Sequence, residues 1–78
     1  MKKYKVVERF KENCYDAVYE RFKENGRMLP EGLHYLNSWV SKENDVCYQL
    51  METSNPELFT IWNKRWEDLI DFEIEPVD

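Results

Sequence analysis

"PEGLHYLNSWV", residues 30–40, has the length and the aromatic content of a β-strand but shows no single apolar side. Alternation places Leu33, Tyr35, Asn37 and Trp39 on one face and His34, Leu36, Ser38 and Val40 on the other. Both faces are half apolar. Such a strand is expected to be covered on both sides while carrying small polar groups on each.

The flanking sequence supplies the other elements. Upstream, "KYKVVERF" (3–10) alternates as a first strand. The period then changes: Cys14, Val18 and Phe22 recur every four residues, with Asp16, Glu20 and Lys23 opposite them, which predicts an amphipathic helix. Asn13 is the expected N-cap and Gly26 the expected stop, because glycine enters a left-handed conformation without a Cβ clash. Downstream, the polar "SKEND" (41–45) is a turn that joins the quoted strand to "VCYQLMET" (46–53) as a hairpin. "SNPELFTIWNKRWEDLI" (54–70) predicts a second helix capped by Ser54 or Asn55, with Pro56 at its first position and Leu58, Trp62, Trp66 and Leu69 on one stripe. "DFEIEPV" (71–77) closes the chain as a short strand.

The order β-α-β-β-α-β, with right-handed crossovers, selects a ferredoxin-like α+β fold: a four-stranded antiparallel sheet in order 4-1-3-2, both helices on one face, over residues 1–78 as one domain. The other sheet face is left bare.

A four-residue loop, Lys42 to Asp45, sets Ser41 opposite Val46 and fixes the hairpin register. Tyr35, Asn37 and Trp39 then lie beside Glu52, Leu50 and Tyr48, while Leu36, Ser38 and Val40 lie beside Met51, Gln49 and Cys47. The helices already bring Phe22, Trp62 and Trp66, so the smaller set is expected to face them. Tyr35, Trp39, Tyr48 and Leu50 together would make a larger apolar patch than soluble monomers usually expose. A second copy placed sheet to sheet would cover it, leaving Asn37 and Glu52 beside an enclosed space.

The first strand carries one conflict. Sending Val6 and Phe10 towards the helices sends Glu8 there too, and a buried carboxylate needs a partner. Arg21 and Arg65 lie at the edges of their helices' apolar stripes, so an ion pair of Glu8 with one of them is expected; the opposite phase would instead place Glu8 in the enclosed space between the two sheets.

Composition narrows the function classes. The chain has 78 residues, of which 42% are hydrophobic and 15% aromatic, and a net charge of -5. A chain this short buries only about 60% of its unfolded surface, so a partner chain would help. The acidic balance argues against a nucleic-acid backbone or an anionic membrane as the main partner, since neither would gain from counterion release. The late acids Glu67, Asp68, Asp71, Glu73, Glu75 and Asp78 read as a solvated edge that resists sticking to other sheets, or as a docking surface for a basic partner. "MKKYKVV" lacks the apolar core of a signal peptide, and no membrane span is legible, so a cytoplasmic protein is expected. Cys14 and Cys47 stand singly, without a CxxC pair, and read as small buried hydrophobes.

"VVERFK", "AVYERFKENGRMLPEGLHYLNSWV", "CYQLMET", "LFTIWNKRW" and "DLIDFEIEPV" together resemble, across nearly the whole chain, a family of bacterial proteins of about eighty residues catalogued as a domain of unknown function. The combination "GRMLPEGL", "QLMET" and "W...RW.DL..FE..PV" carries the resemblance. It implies a dimeric α+β barrel, a superfamily that includes cofactor-free monooxygenases, haem-degrading enzymes and small stress-response proteins. It implies no activity for this chain.

Candidate chemistry is sparse. His34 is the sole histidine, and it falls at a strand start on the expected helix side, which suits a capping or partly exposed residue. Cys14, His34 and Cys47 lack zinc-site spacing, so no metal is expected, and no cofactor motif is present. Tyr35, Asn37, Trp39, Tyr48, Leu50 and Glu52 form the best candidate pocket or dimer interface, aromatic walls with a few polar groups. Burial could raise Glu52 enough for acid-base work, while a salt bridge to Lys5 would explain it equally well. RNA-binding sheets of this topology also expose aromatics, but "KYKVVERF" and "CYQLMET" do not match ribonucleoprotein motifs. The sequence therefore points to a homodimeric binding or regulatory module. The alternative is a cofactor-independent enzyme, monooxygenase- or isomerase-like, acting on a hydrophobic small molecule between the two sheets.

Overall fold

The computed structural model describes residues 1–41, 43 and 45–77. Its elements are β1 (Lys2–Phe10), α1 (Tyr15–Asn25), β2 (His34–Ser41), β3 (Val46–Thr53), α2 (Leu58–Lys64) and β4 (Ile70–Val77). The four strands form one sheet in order β2-β3-β1-β4, with antiparallel pairing throughout. This is the expected ferredoxin-like α+β fold.

Alternation along β1 and β3 separates the two faces. Tyr4, Val6, Glu8 and Phe10 pack with Cys47, Gln49 and Met51 against the helices, where Trp62 and Phe59 close the core. Val6 and Met51 are fully buried, and Trp62 is 1% exposed. Burying side chains of this class contributes about 1.5–3 kcal/mol each, which is how a 78-residue chain supports a sheet.

Both helices begin differently from their sequence signals, and α2 also ends differently. Cys14 rather than Asn13 occupies the α1 N-cap, without a side-chain hydrogen bond, and Asn13 adopts φ 62. Gly26 does end α1: its φ 66 and ψ -157 suit glycine almost alone, and its N–H donates to Phe22 O at 2.7 Å. The second helix is much shorter than the apolar stripe implied. It stops at Lys64, and Arg65 N–H to Trp62 O, Trp66 N–H to Asn63 O and Leu69 N–H to Trp66 O continue the chain as tight turns that carry Trp66 into the core. At its start, Asn55 Oδ1 accepts from the Glu57 N–H at 3.2 Å, so Asn55 organises the entry turn from outside the helix.

The hairpin has the expected register at its turn, with Ser41 opposite Val46; Lys42 and Asn44 of the expected loop lie outside the described residues. The register then shifts between Tyr35 and Asn37, so that Leu36 is an extra residue in β2, a β-bulge. Upstream of the bulge the faces exchange. Tyr35 was expected on the open face but pairs with Met51 on the helix side, and His34 was expected on the helix side but pairs with Glu52 on the open face. Leu36 has no partner in the ladder and is 39% exposed. The physical reason is visible at Tyr35: its ring lies 3.6 Å from the Arg27 guanidinium, and its hydroxyl is 2.8 Å from Ser38 Oγ.

Candidate functional site

The open face carries the residues that the sequence analysis grouped as a pocket, less Tyr35. Trp39 and Tyr48 stack at 5.6 Å with an interplanar angle of 19°, and Trp39 remains 54% exposed. Leu50 continues this apolar row, half-buried and opposite Asn37 and Lys5. Asn37 uses its Oδ1 to accept from the Ser38 N–H at 2.9 Å. Glu52 is half-buried between His34 and Lys3 at the end of the ladder. On the β1–β4 side, Arg9 donates to Glu73 at 3.1 Å.

A cavity of about 220 Å³, partly open to solvent, lies on the other face, between the sheet and the helices. β2 is an edge strand whose residues are all exposed or half-buried, so α1 leaves its helix-facing side partly open. Val18, Tyr19 and Phe22 of α1 form one wall, and Trp62 and Trp66 another. Ser38, Val40, Cys47, Gln49 and Glu8 form the sheet floor. Of the smaller sheet residues expected to face the helices, Ser38, Val40, Cys47, Gln49 and Met51 do so, while Leu36 is the bulge residue and pairs with none of them. They do not fill the layer, because α2 is only seven residues long and small side chains stand opposite α1.

Glu8 sits in this floor, 6% exposed, with strand phase settled towards the helices. The expected ion pair with Arg21 or Arg65 does not form. Arg21 stacks over the Trp66 ring at 5.5 Å and grips Asp68 through two hydrogen bonds of 2.8 and 2.7 Å, while Arg65 donates to Met28 O at 2.7 Å. Glu8 Oε1 instead accepts from Gln49 Nε2 at 2.6 Å. Gln49 Oε1, buried in the same floor, has no hydrogen-bond partner.

The electrostatics follow from burial. Desolvation raises the Glu8 carboxyl above its ordinary 4.5, opposed by hydrogen bonds from Gln49 and Cys47 and by the charge of Arg27. Burial, reinforced by Glu8, pushes the Cys47 thiol up to about 12. The Tyr19 phenol is raised to about 12, first by desolvation and then by Tyr15. Cys47 therefore stays a thiol at neutral pH and is no nucleophile.

Arg27, Ser38, Gln49 and Tyr19 were not among the residues singled out from sequence. One signal was legible. Gln49 and Glu8 both interrupt apolar rows on adjacent strands, and two such interruptions facing one layer mark a buried polar pair. Arg27 gave no signal, since its place depends on the loop after Gly26. His34 is exposed, and no cluster of metal-ligating side chains exists among the described residues.

The fold and cavity define a small ferredoxin-like α+β protein with an internal polar pair. The chain belongs to the family described as Domain of unknown function (DUF3303), which matches residues 2–77. No curated protein matches it. Among solved structures it is similar to an L-rhamnose mutarotase from Formosa agariphila, with a TM-score of 0.59 over 100% of this chain and 94% of that chain, at 12% identity. At that identity the likeness is one of fold.

Proposed function

We propose that the protein is a small-molecule-binding module that works as a homodimer, its ligand held in the helix-side cavity and its open sheet face covered by a second copy. The observation that carries the reading is the buried Glu8–Gln49 pair in the floor of a 220 Å³ cavity. A buried carboxyl and an unpartnered amide oxygen cost stability, and hydrophobic packing alone does not call for them. The exposed Trp39–Tyr48 stack supports the dimer, because aromatic anchors of this kind are the usual centres of interfaces. The free thiols Cys14 and Cys47 suit a reducing, cytoplasmic setting in a bacterium. The -5 net charge makes nucleic acid and anionic membrane poor partners.

A second reading, a cofactor-independent enzyme, is favoured by the position of Glu8. Burial lets this carboxyl keep its proton above the usual carboxylate range, and a neutral acid inside a cavity can deliver a proton to a bound substrate. The similarity of the fold to a sugar mutarotase supports that reading in outline.

Native mass spectrometry of freshly purified protein tests the proposal. The expected result is a dimer carrying a small non-covalent ligand, with the ligand lost and the dimer retained in Val40→Trp, which fills the cavity beside β2. A bare monomer at micromolar concentration would overturn both parts.

A further inference from the structure

The cavity, taken as the ligand site proposed above, also indicates the chemistry of what it holds. Among the described residues that line it, Arg27 is the sole cation. Its place is fixed from two directions. Its carbonyl accepts from Trp62 Nε1 at 2.9 Å and from Trp66 Nε1 at 3.0 Å, which pins the backbone. Its guanidinium stacks 3.6 Å from the Tyr35 ring and 5.1 Å from the Phe22 ring, which orders the side chain. Among the described residues no carboxylate forms an ion pair with it, and its one hydrogen bond, to Ser38 Oγ, is 3.5 Å long. A stacked guanidinium offers its N–H donors edge-on, in the planar fork that matches a carboxylate.

A second observation lies deeper on the sheet. Gln49 is 4% exposed and lines the same cavity, and its Oε1 is an acceptor with no donor. Between the two polar points the walls are apolar, chiefly Trp62, Trp66, Val18 and Phe10. A space of about 220 Å³ holds roughly ten non-hydrogen atoms at the packing density of protein interiors.

We propose that the cavity binds a small monocarboxylate with a compact apolar, preferably aromatic, body: the carboxylate bound by the Arg27 guanidinium and the Ser38 hydroxyl, the body against Trp62 and Trp66, and a hydroxyl or N–H on the body donating to Gln49 Oε1. Burial favours the neutral forms of Glu8, Cys47 and Tyr19, the other titratable groups among the described lining residues, which leaves Arg27 to set the sign of the charge selected.

The test uses ¹H–¹⁵N spectra of the whole protein, in which the indole signals of Trp62 and Trp66 report on the cavity walls directly. The probes are 3- and 4-hydroxybenzoate, the corresponding uncharged amides, benzoate, and the neutral molecules phenol and indole. Saturable indole shifts with the hydroxybenzoates are expected, at least about tenfold tighter than with the amides, because the charge-assisted fork is lost. Benzoate, lacking the donor for Gln49, is expected to bind several-fold more weakly. Arg27→Gln should erase the difference between acid and amide while retaining both indole bonds to the backbone carbonyl; the acid–amide comparison on the unmodified chain needs no variant. Equal affinity for acid and amide would overturn the carboxylate assignment and leave the cavity as a ligand site. Indole signals unmoved by every probe, charged or neutral, would overturn both.

Discussion

Gln49 Nε2 donates to Glu8 Oε1 at 2.6 Å from the neighbouring strand, on the side of the sheet that the helices cover. The bond satisfies one carboxyl oxygen and holds the acid where water is scarce. Glu8 is raised above 4.5, so the folded chain binds this proton more tightly than the unfolded chain does. The stability it contributes is complete below pH 4.5 and is lost as pH rises through the folded-state value. Glu8→Gln keeps an acceptor for Gln49 and removes the charge. The variant is expected to be more stable than the parent at about pH 8 and no more stable at about pH 4, with urea midpoints as the measure.

The Arg21–Asp68 fork works in the opposite sense. The hydrogen bonds from Arg21 hold Asp68 below 3.8, so its stabilisation is present above that value and is lost as pH falls through the folded-state value. Its side chains are 29% and 58% exposed. A double-mutant cycle with Arg21→Met and Asp68→Asn should give a coupling of about 0.5–1 kcal/mol that shrinks in molar salt.

Trp39→Asp probes the open face. With Trp39 54% exposed in the single chain, its replacement costs the monomer little, and far-UV circular dichroism should be unchanged. The proposed dimer should dissociate about 30-fold or more readily, the effect of losing an interface anchor of about 2 kcal/mol. Sedimentation velocity that shows an unaltered dimer would place the interface elsewhere.

Cys47 is expected to resist alkylation. Its thiol is 8% exposed and pushed up to about 12, so iodoacetamide at about pH 8 should label Cys14, which is half-buried, first. Labelling of Cys47 should follow unfolding in urea. Peptide mass spectrometry resolves the two, and equal labelling of the native protein would contradict the burial described.

Element order, strand order and the hairpin register from the turn up to Asn37 were legible because each rests on local chemistry: a change of period at Cys14, a glycine stop at Gly26, a polar turn before Val46. The bulge at Leu36 was not, because it accompanies a contact between Tyr35 and Arg27, in the loop just before β2, that strict alternation along a strand does not encode. The partner of Arg21 was missed for a related reason. Asp68 falls in the turns after Lys64, and a helix continued through that segment would have carried it elsewhere. The residues facing each layer were read correctly from volume at Trp39, Tyr48, Cys47 and Gln49. Volume alone did not disclose that the helix layer is left incompletely filled, which needed the length of α2.

The irregularity at Leu36 also governs how these molecules can meet. An unbroken outer strand offers a ladder of free amides and carbonyls on which a neighbour can zip itself into a continuing ribbon. Here one outer strand is broken by the surplus residue and the other, β4, contains Pro76, which has no amide hydrogen to give. Lateral growth into fibres is thereby discouraged at both margins, which leaves the broad sheet face for the second copy proposed above.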